Sequence, residues 1–363
     1  MDNVAVVIPS RYKPYLEEEL SLVKTVYNNI ETILFIKKPN AKYYVSLDKI
    51  NYLKNNDSDK IIVMDRVKPS QIINLMRETG KEVIDRVMLI LEIFEMHAGS
   101  LEAKLQIELV RLKHYLPLVK ESIKFAKLGE LHGYLGAGRY GYEKYYTMLK
   151  KREAAIRRKL EELRRIRDIR RSKRRELGYP HLVLIGYTSA GKTTIFNLLT
   201  GLCKPVGPEP FTTITPKSSR ISINGVEAIL TDTVGFIREL PHEIVEAFYV
   251  TLEEVSLADG LIHVIDASKN SREIINTIYE SHKILSKIGV HNKPMLYVLN
   301  KIDLISDYLE IKRTLEDFLG IPGNNIVAIS ALKMTNIDLF LESLKHMIGG
   351  LKHGENLRTE IRT

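Results

Sequence analysis

A glycine-rich segment that follows an apolar run carries residue types suited to holding phosphate. In HLVLIGYTSAGKTTIFNLL, the spacing of Gly186, Gly191, Lys192 and Thr193 fits G-x-x-x-x-G-K-[ST]. Such a loop surrounds phosphate oxygens with backbone N–H groups at a helix N-terminus. Lys192 should reach the β- and γ-phosphates, and Thr193 should bind Mg²⁺. The segment therefore predicts a nucleoside triphosphate site formed by Gly186, Tyr187, Thr188, Ser189, Ala190, Gly191, Lys192, Thr193 and Thr194.

Two downstream segments supply residues for metal binding and hydrolysis. AILTDTVG places Asp232 at the end of an apolar run, where its carboxylate can bind the Mg²⁺ shell, and Gly235 follows so that its N–H can approach the γ-phosphate. Thr213, in the intervening FTTITPK segment, is the candidate that senses the γ-phosphate and the metal. The predicted metal ligands are Thr193, Thr213 and Asp232. The residues expected to act on the γ-phosphate are Lys192, Thr213 and Gly235.

The segment MLYVLNKID predicts the base. Asp303 can accept hydrogen bonds from guanine N1 and N2, a pair of donors that adenine lacks, while Asn300 buttresses the pocket and the Lys301 stem covers the ring. Adenine would leave a buried carboxylate unpaired, so the site should select GTP and not ATP. Ser330 and Ala331 follow the apolar run NNIVAI and are expected to offer backbone N–H groups to guanine O6.

The residue after Gly235 is Phe236. Ras-type GTPases use a Gln at this position to orient the attacking water, and a phenyl ring cannot do so. We therefore expect slow intrinsic hydrolysis, with the missing group or ordering supplied by a partner. Such behaviour is typical of a switch and not of a metabolic enzyme.

The basic charge is concentrated in one segment. The 363 residues carry a net charge of +9, yet residues 150–175 alone contain fourteen Lys or Arg and four Asp or Glu. Apolar residues recur there at helical spacing, at Leu149, Ile156, Leu160, Leu163 and Ile166. Because so basic a helix repels itself unless an anion relieves it, the segment favours contact with nucleic acid. The alternative is a solvated helix face.

A second apolar stripe, from Leu105 to Ile123, predicts a partner helix, with a kink or break at Pro117. The two helices should pack as an antiparallel hairpin over residues 98–177. Residues 132–146 between them interleave tyrosines with basic residues and glycines. This composition suits stacking on unpaired bases, and a flexible connector is the alternative.

The rest of the chain predicts an α/β fold. The runs VAVVIP, ETILFIKK, KIIVMDR and EVIDR alternate with helical patterns, which indicates a small parallel-sheet subdomain over residues 1–97. It contains no glycine-rich phosphate loop, which argues against a separate ATP site there. A P-loop, Ras-like G domain should occupy residues 178–350, after the subdomain and the long hairpin. Residues 351–363 read as a polar tail.

Composition indicates the compartment. The hydrophobic fraction of 44% and charged fraction of 27% are ordinary for a globular protein, and no apolar run approaches the ~18 residues that span a bilayer. The N-terminus does not resemble a signal peptide, and the lone Cys203 can form no internal disulfide. We expect a cytoplasmic monomer, with peripheral association at a membrane surface left open.

The motifs resemble those of the HflX family of GTPases. GYTSAGKTTIFNLLTG, FTTITP, DTVGFI, NKID and SAL carry the resemblance, and the most specific match is DRVMLILEIFEMHAGSLEAKLQIELVRLKHYLP at residues 85–117. The resemblance implies a G domain with a hydrophobic residue in place of the catalytic Gln. It also implies binding to the large ribosomal subunit, stimulated GTP hydrolysis there, and a role in splitting or rescuing stalled ribosomes. A GTP-dependent scaffold for RNA or a membrane surface, with negligible turnover, is the alternative.

Two positions depart from the family pattern. At the hairpin tip, the family stretch G-x-G-E-x-x-x-E-x-D is reduced to little beyond Gly141 and Glu143. In the phosphate loop, Ser189 stands where the family usually has Asn, a residue that helps coordinate a monovalent ion in related potassium-activated GTPases. A requirement for K⁺ is therefore left open.

Overall fold

The computed structural model describes residues 2–127, 139–176, 178–202, 211, 216–239, 241, 244 and 249–360. Cys203 and Thr213 lie outside the described residues. The chain forms two compact units, one of residues 1–166 with 241–247 and one of residues 167–240 with 248–363. The division falls inside a helix, whereas the sequence pattern placed the boundary after Leu177. The last part of the basic helix thus belongs to the nucleotide-binding unit.

The first unit contains a four-stranded parallel sheet in the order β2-β1-β3-β4. Its strands are β1 (Asn3–Pro9), β2 (Asn29–Ile36), β3 (Lys60–Val63) and β4 (Glu82–Asp85). Four helices connect or follow them: α1 (Leu16–Val26), α2 (Leu47–Asn55), α3 (Pro69–Thr79) and α4 (Arg86–His97). The central strand β1 is buried from Val4 onward, as expected for a parallel strand covered on both faces. The predicted parallel α/β subdomain is confirmed.

Two long helices follow, α5 (Leu101–Lys127) and α6 (Arg139–Glu176), and α6 belongs to this unit up to Ile166. Their apolar stripes meet in one cluster formed by Leu112, Leu116, Val119, Leu149 and Ile156. The helix α5 continues through Pro117, so the predicted break does not occur. Proline removes one backbone donor, but Leu116 and Val119 on either side of it are buried in the cluster, which holds the helix together.

Part of the segment that the sequence pattern placed between the two helices is itself helical. Residues 139–146, taken as part of a glycine-loosened turn, form the first turns of α6. Residues 128–138, including Tyr134, lie outside the described residues. In the part of the chain that the structure describes, every helix is too short or too polar to cross a bilayer.

The second unit is built on a six-stranded sheet in the order β10-β9-β8-β5-β7-β6. The strands are β5 (His181–Ile185), β6 (Lys217–Ile223), β7 (Val226–Asp232), β8 (Gly260–Asp266), β9 (Met295–Asn300) and β10 (Ile326–Ala328). All neighbours are parallel except β6, which forms a hairpin with β7. The carboxyl ends of β5, β7, β8 and β9 therefore lie at one edge, where α/β sheets bind ligands.

After α6, the described part of this second unit contains the α-helices α7 (Lys192–Thr200), α8 (Tyr249–Leu257), α9 (Ser271–Lys287), α10 (Tyr308–Leu319) and α11 (Ile337–Glu360). The helix α11 continues to Glu360, so the segment expected to be a polar tail is helical from its start. Its stripe of Phe340, Leu344 and Ile348 is buried in the core, and Leu351 extends that stripe by packing against the same cluster. The helix continues past residue 350 because its apolar face continues to Leu351.

Candidate nucleotide-binding site

The phosphate loop leaves the sheet at the carboxyl end of β5 and enters α7. Gly186 has a φ of 139°, and a Cβ there would collide with the carbonyl oxygen of Val264 on the neighbouring strand. Only glycine lets the loop turn so closely over β8. Tyr187, Thr188, Ser189 and Ala190 form the turn, Gly191 caps α7, and Thr194 lies half-buried in the first turn of that helix. The predicted strand, loop and helix are thus assembled in order.

The ammonium of Lys192 is buried at the centre of this loop. Its Nζ donates hydrogen bonds to the carbonyl oxygens of Gly186 at 3.0 Å and Tyr187 at 2.5 Å. Burial lowers the pKa of Lys192 to about 8, a shift that the carboxylate of Asp232 opposes and the ammonium of Lys301 reinforces. A phosphate that bound here would supply the negative charge that this ammonium lacks.

Thr193 and Asp232 meet beneath the loop. The Thr193 hydroxyl donates to Asp232 Oδ2 at 3.2 Å, and both side chains are buried. A hydroxyl and a carboxylate are the oxygen donors that Mg²⁺ prefers, and Mg²⁺ usually completes its shell with water and substrate phosphates. Among the described residues no group of three or more His, Cys, Asp or Glu could hold a metal. The donor pair therefore fits Mg²⁺.

The segment after Asp232 is hydrogen-bonded to the phosphate loop. The Phe236 N–H donates to the Gly186 carbonyl, and the Thr188 N–H donates to the Phe236 carbonyl, both at 2.9 Å. Gly235 is pressed against the loop, since a Cβ on it would lie 2.7 Å from Thr188 Cα and 2.9 Å from Lys192 Nζ. The Phe236 side chain is only 4% exposed. Backbone N–H and carbonyl groups of the phosphate loop are therefore hydrogen-bonded to those of this segment.

Asn300 joins the two halves of the base pocket. It is buried at the end of β9, where its Nδ2 donates to the Ala190 carbonyl at 2.9 Å and its Oδ1 accepts from the Ala331 N–H at 3.0 Å. The predicted buttress is therefore a side chain that ties the phosphate loop to the segment after β10. Asp303 lies exposed in the turn Ile302–Leu304, which leaves its carboxylate open to a base.

The sequence predicted that the N–H groups of Ser330 and Ala331 donate to guanine O6, but the structure gives both of them partners in the protein. The Ser330 N–H donates to the Thr335 carbonyl at 3.2 Å, and the Ala331 N–H donates to Asn300. Both donors predicted for guanine O6 are thus engaged within the protein. The sequence could not indicate this, because backbone donors are assigned by the turn that closes between residues 330 and 335.

One contact in the pocket was not foreseen from the sequence. Lys301 has a φ of 69°, and its Nζ lies 2.6 Å from Asp266 Oδ2 at the end of β8. The only signal in the sequence was an acidic residue that ends the apolar run GLIHVID. The sequence alone does not show that β8 pairs with β9. That pairing places Asp266 directly beside Asn300 and so brings it to Lys301.

Comparison with known proteins identifies the family. Residues 13–95, 97–174 and 181–301 match the family models described as GTP-binding GTPase N-terminal, GTP-binding GTPase Middle Region and 50S ribosome-binding GTPase. The chain is 46% identical to GTPase HflX of Hyperthermus butylicus, with 83% of each chain covered. It is 41% identical to GTPase HflX of Saccharolobus solfataricus, with 92% of this chain and 95% of the relative covered. The chain belongs to the HflX family.

Solved structures agree with the HflX assignment. A GTP-binding protein from Sulfolobus solfataricus in complex with GDP is 35% identical, with a TM-score of 0.54 and coverage of 97% of this chain and 100% of that one. A further relative found by sequence, GTPase HflX of Escherichia coli, is 35% identical over 81% of this chain and 70% of the relative. This HflX-family chain is accordingly a GTPase whose ligand is a guanine nucleotide.

Proposed function

We propose that this GTPase requires Mg²⁺ and acts in the cytoplasm on stalled or idle ribosomes, where α6 binds rRNA of the large subunit. The observation that carries the proposal is the concentration of basic charge on one long helix, from residue 150 to residue 175. Further support is that residues 181–301 match a family described as 50S ribosome-binding GTPase. RNA phosphates are the anions that such a helix would attract.

Part of this charge is neutralised inside the hairpin. Arg152 pairs with Glu108 on α5, while Lys150 and Arg157 both pair with Glu153 one turn away. The side chains of Arg152, Lys150 and Arg157 are about half exposed, and ion pairs of solvent-facing cations are weak, so a phosphate can compete for them. The side chains best placed to meet RNA are the exposed Arg158, Arg164 and Arg165.

The C-terminal part of α6 uses its arginines differently. Arg167 and Arg171 pair with Glu253 on α8, and Arg171 also pairs with Glu254 at 2.7 Å. The Arg171 side chain is only 11% exposed. Arg171 therefore anchors α6 to α8 within the nucleotide-binding unit instead of facing RNA, although the charge pattern alone grouped it with its neighbours. The side chains of Arg170, Arg174 and Arg175 lie outside the described residues.

In the proposed reaction, Thr193 and Asp232 would hold Mg²⁺. The metal, when bound, would neutralise charge on the β- and γ-phosphates. Lys192 would neutralise the same phosphates from the loop, and Gly235 would present its N–H to the γ-phosphate. Phe236 offers no group that orients water, so the ribosome would supply the ordering that accelerates hydrolysis. With Ser189 in the loop, K⁺ dependence is an outcome to be measured.

Co-sedimentation with large ribosomal subunits tests the proposal. Replacing Arg158, Arg164 and Arg165 together with Gln should weaken binding in the presence of a non-hydrolysable GTP analogue. The slope of log affinity against log salt should fall by up to about 0.9 for each phosphate that the helix no longer neutralises. GTP affinity without ribosomes should change little.

The matched control is the pair Arg167→Gln and Arg171→Gln, which removes similar charge from the same helix. These two side chains should affect the stability of the nucleotide-binding unit and leave the salt slope unchanged. An unaltered slope in the triple variant would mean that the basic segment is a solvated helix face. Absence of hydrolysis with and without subunits would favour the scaffold alternative.

A further inference from the structure

We propose that Asp266 is a positioning residue of the guanine site, which holds the Lys301 side chain over the base and ribose. It acts through Lys301 and does not itself contact the nucleotide. The inference concerns the base pocket alone and is independent of ribosome binding.

The carboxylate of Asp266 is fixed on one side by its own turn. Its Oδ1 accepts hydrogen bonds from the Ser268 N–H at 3.0 Å and from the Ser268 hydroxyl at 2.6 Å. This leaves Oδ2 directed at the Lys301 ammonium, 2.6 Å away. The carboxylate is therefore oriented before the lysine reaches it, so that forming the ion pair has to order only the Lys301 side chain.

The sheet brings these two residues together. Asp266 is the register partner of Asn300, and the Ala267 N–H donates to the Asn300 carbonyl at 2.9 Å. Lys301 follows Asn300 in the left-handed region, a conformation that residues other than glycine seldom adopt. That turn points the lysine back toward β8. A flexible four-carbon stem would otherwise sample many rotamers over the pocket.

The distribution of charge also supports a positioning role for Asp266. Lys192 opens the helix that follows β5, and Lys301 directly follows β9, so two ammonium groups lie at the same edge of the sheet. The carboxylate of Asp266 neutralises the outer one, since Lys301 is partly exposed and Lys192 is buried. Asp266 thus holds the Lys301 ammonium in place without contributing a negative charge to the phosphate loop itself.

The experiment measures GMP, GDP and GTP affinity, with kcat and KM for GTP, in Asp266→Asn. We expect all three affinities to fall by a similar factor of about 2 to 5, because the variant removes a partly exposed ion pair that orders a side chain over the ligand. The KM should rise while kcat stays unchanged, since Lys301 binds ground state and transition state alike. Asp266→Glu should recover most of the affinity.

A double-mutant cycle separates positioning from a merely structural role. In a Lys301→Met background, Asp266→Asn should cause no further loss, because its effect passes through Lys301. Asp307→Asn is the matched control, since the Asp307 carboxylate caps α10 by accepting from the Leu309 and Glu310 N–H groups instead of pairing with Lys301. An equal loss in both backgrounds would overturn the proposal in favour of a structural role. A loss of affinity that rises with the number of phosphates would overturn it in favour of a simple charge effect.

Discussion

The Thr188 N–H donates a hydrogen bond to the Phe236 carbonyl at 2.9 Å, so a donor of the phosphate loop is engaged by the residue that replaces the catalytic Gln. The Phe236 N–H is bound in turn to the Gly186 carbonyl. Gly235 packs close to the Lys192 ammonium, since a Cβ on it would lie 2.9 Å from Nζ. We therefore expect a γ-phosphate held by Lys192 to shift Gly235 and to open this pair of backbone hydrogen bonds.

Hydrogen exchange tests that consequence. We expect the amides of residues 233–239 to exchange slowly with GDP and faster with a non-hydrolysable GTP analogue, because only the analogue carries a γ-phosphate. The strand β8, whose hydrogen bonds lie inside the sheet, serves as the reference and should exchange equally in both states. Equal protection of residues 233–239 with both nucleotides would show that the γ-phosphate is accommodated without opening this contact.

The role of Phe236 itself is tested by comparing variants. Phe236→Ala should leave GTP affinity largely intact and should not abolish hydrolysis, because the side chain supplies no reacting group and its backbone remains. Lys192→Ala and Thr193→Ala should each reduce turnover by at least about a hundredfold, since one removes a phosphate charge and the other a metal ligand. Single-turnover hydrolysis measures all three. A loss in Phe236→Ala as large as that in Lys192→Ala would show that Phe236 takes part in the chemistry.

Base selection rests on Asp303. Asp303→Asn should weaken GTP binding by about tenfold or more and strengthen XTP binding, because xanthine presents a carbonyl where guanine presents its amino group. Competition between GDP and XDP for a fluorescent nucleotide measures the change. Asp307→Asn, a nearby exposed acid that caps α10, should leave the ratio of affinities unchanged. Unchanged relative affinities in Asp303→Asn would remove the residue from the base site.

The sequence predicted the parts of the site that depend on side-chain type and local spacing. The loop from Gly186 to Thr193 and the strand-end residues Asp232 and Asn300 lie where they were expected, because each immediately follows a strong apolar run. The helices α5 and α6 were predicted for a similar reason, since their apolar periodicity is long and regular.

What the sequence missed depends on backbone and tertiary pairing. The bridge between Thr188 and Phe236 uses only main-chain atoms, which side-chain types do not report. The pair of Asp266 and Lys301 requires β8 and β9 to be neighbours in register. In the sequence, Arg171 cannot be distinguished from the other cations of α6. Only the position of α8, which places Glu253 and Glu254 beside it, sets it apart.

Lys192 predicts how nucleotide affinity depends on pH. With a pKa near 8 before nucleotide binds, the ammonium loses its proton above that pH, and phosphate binding is then coupled to unfavourable proton uptake. GDP affinity should therefore be nearly constant below pH 7.5 and fall by up to about tenfold per pH unit above pH 8. In Lys192→Met this contribution is absent, while any titration of the guanine base is the same. Parallel pH profiles for the two proteins would contradict the prediction.

His263 predicts how stability depends on pH. It lies on β8, is 1% exposed, and packs with its ring centroid 5.5 Å from that of Tyr297 and 6.1 Å from that of His282. Burial lowers the pKa of His263 to about 3, and the charges of His282 and Lys192 contribute in the same direction. The folded protein thus holds this imidazole neutral well above pH 3.

The sign follows from the two pKa values. Between pH 3 and pH 6.5 the unfolded chain binds a proton on His263 that the folded protein does not, so stability falls as the pH is lowered through this window and is fully present above it. The loss approaches about 1.4 kcal/mol per pH unit. His263→Phe, which keeps a ring among the same neighbours, should flatten the dependence of the urea midpoint on pH between 4 and 6.5. The comparison is made with circular dichroism, since the chain has no tryptophan, and the difference between the two proteins cancels the titrating groups that lie away from His263. Identical slopes would contradict the prediction, since they would mean that the imidazole takes up a proton in the folded protein as readily as in the unfolded chain.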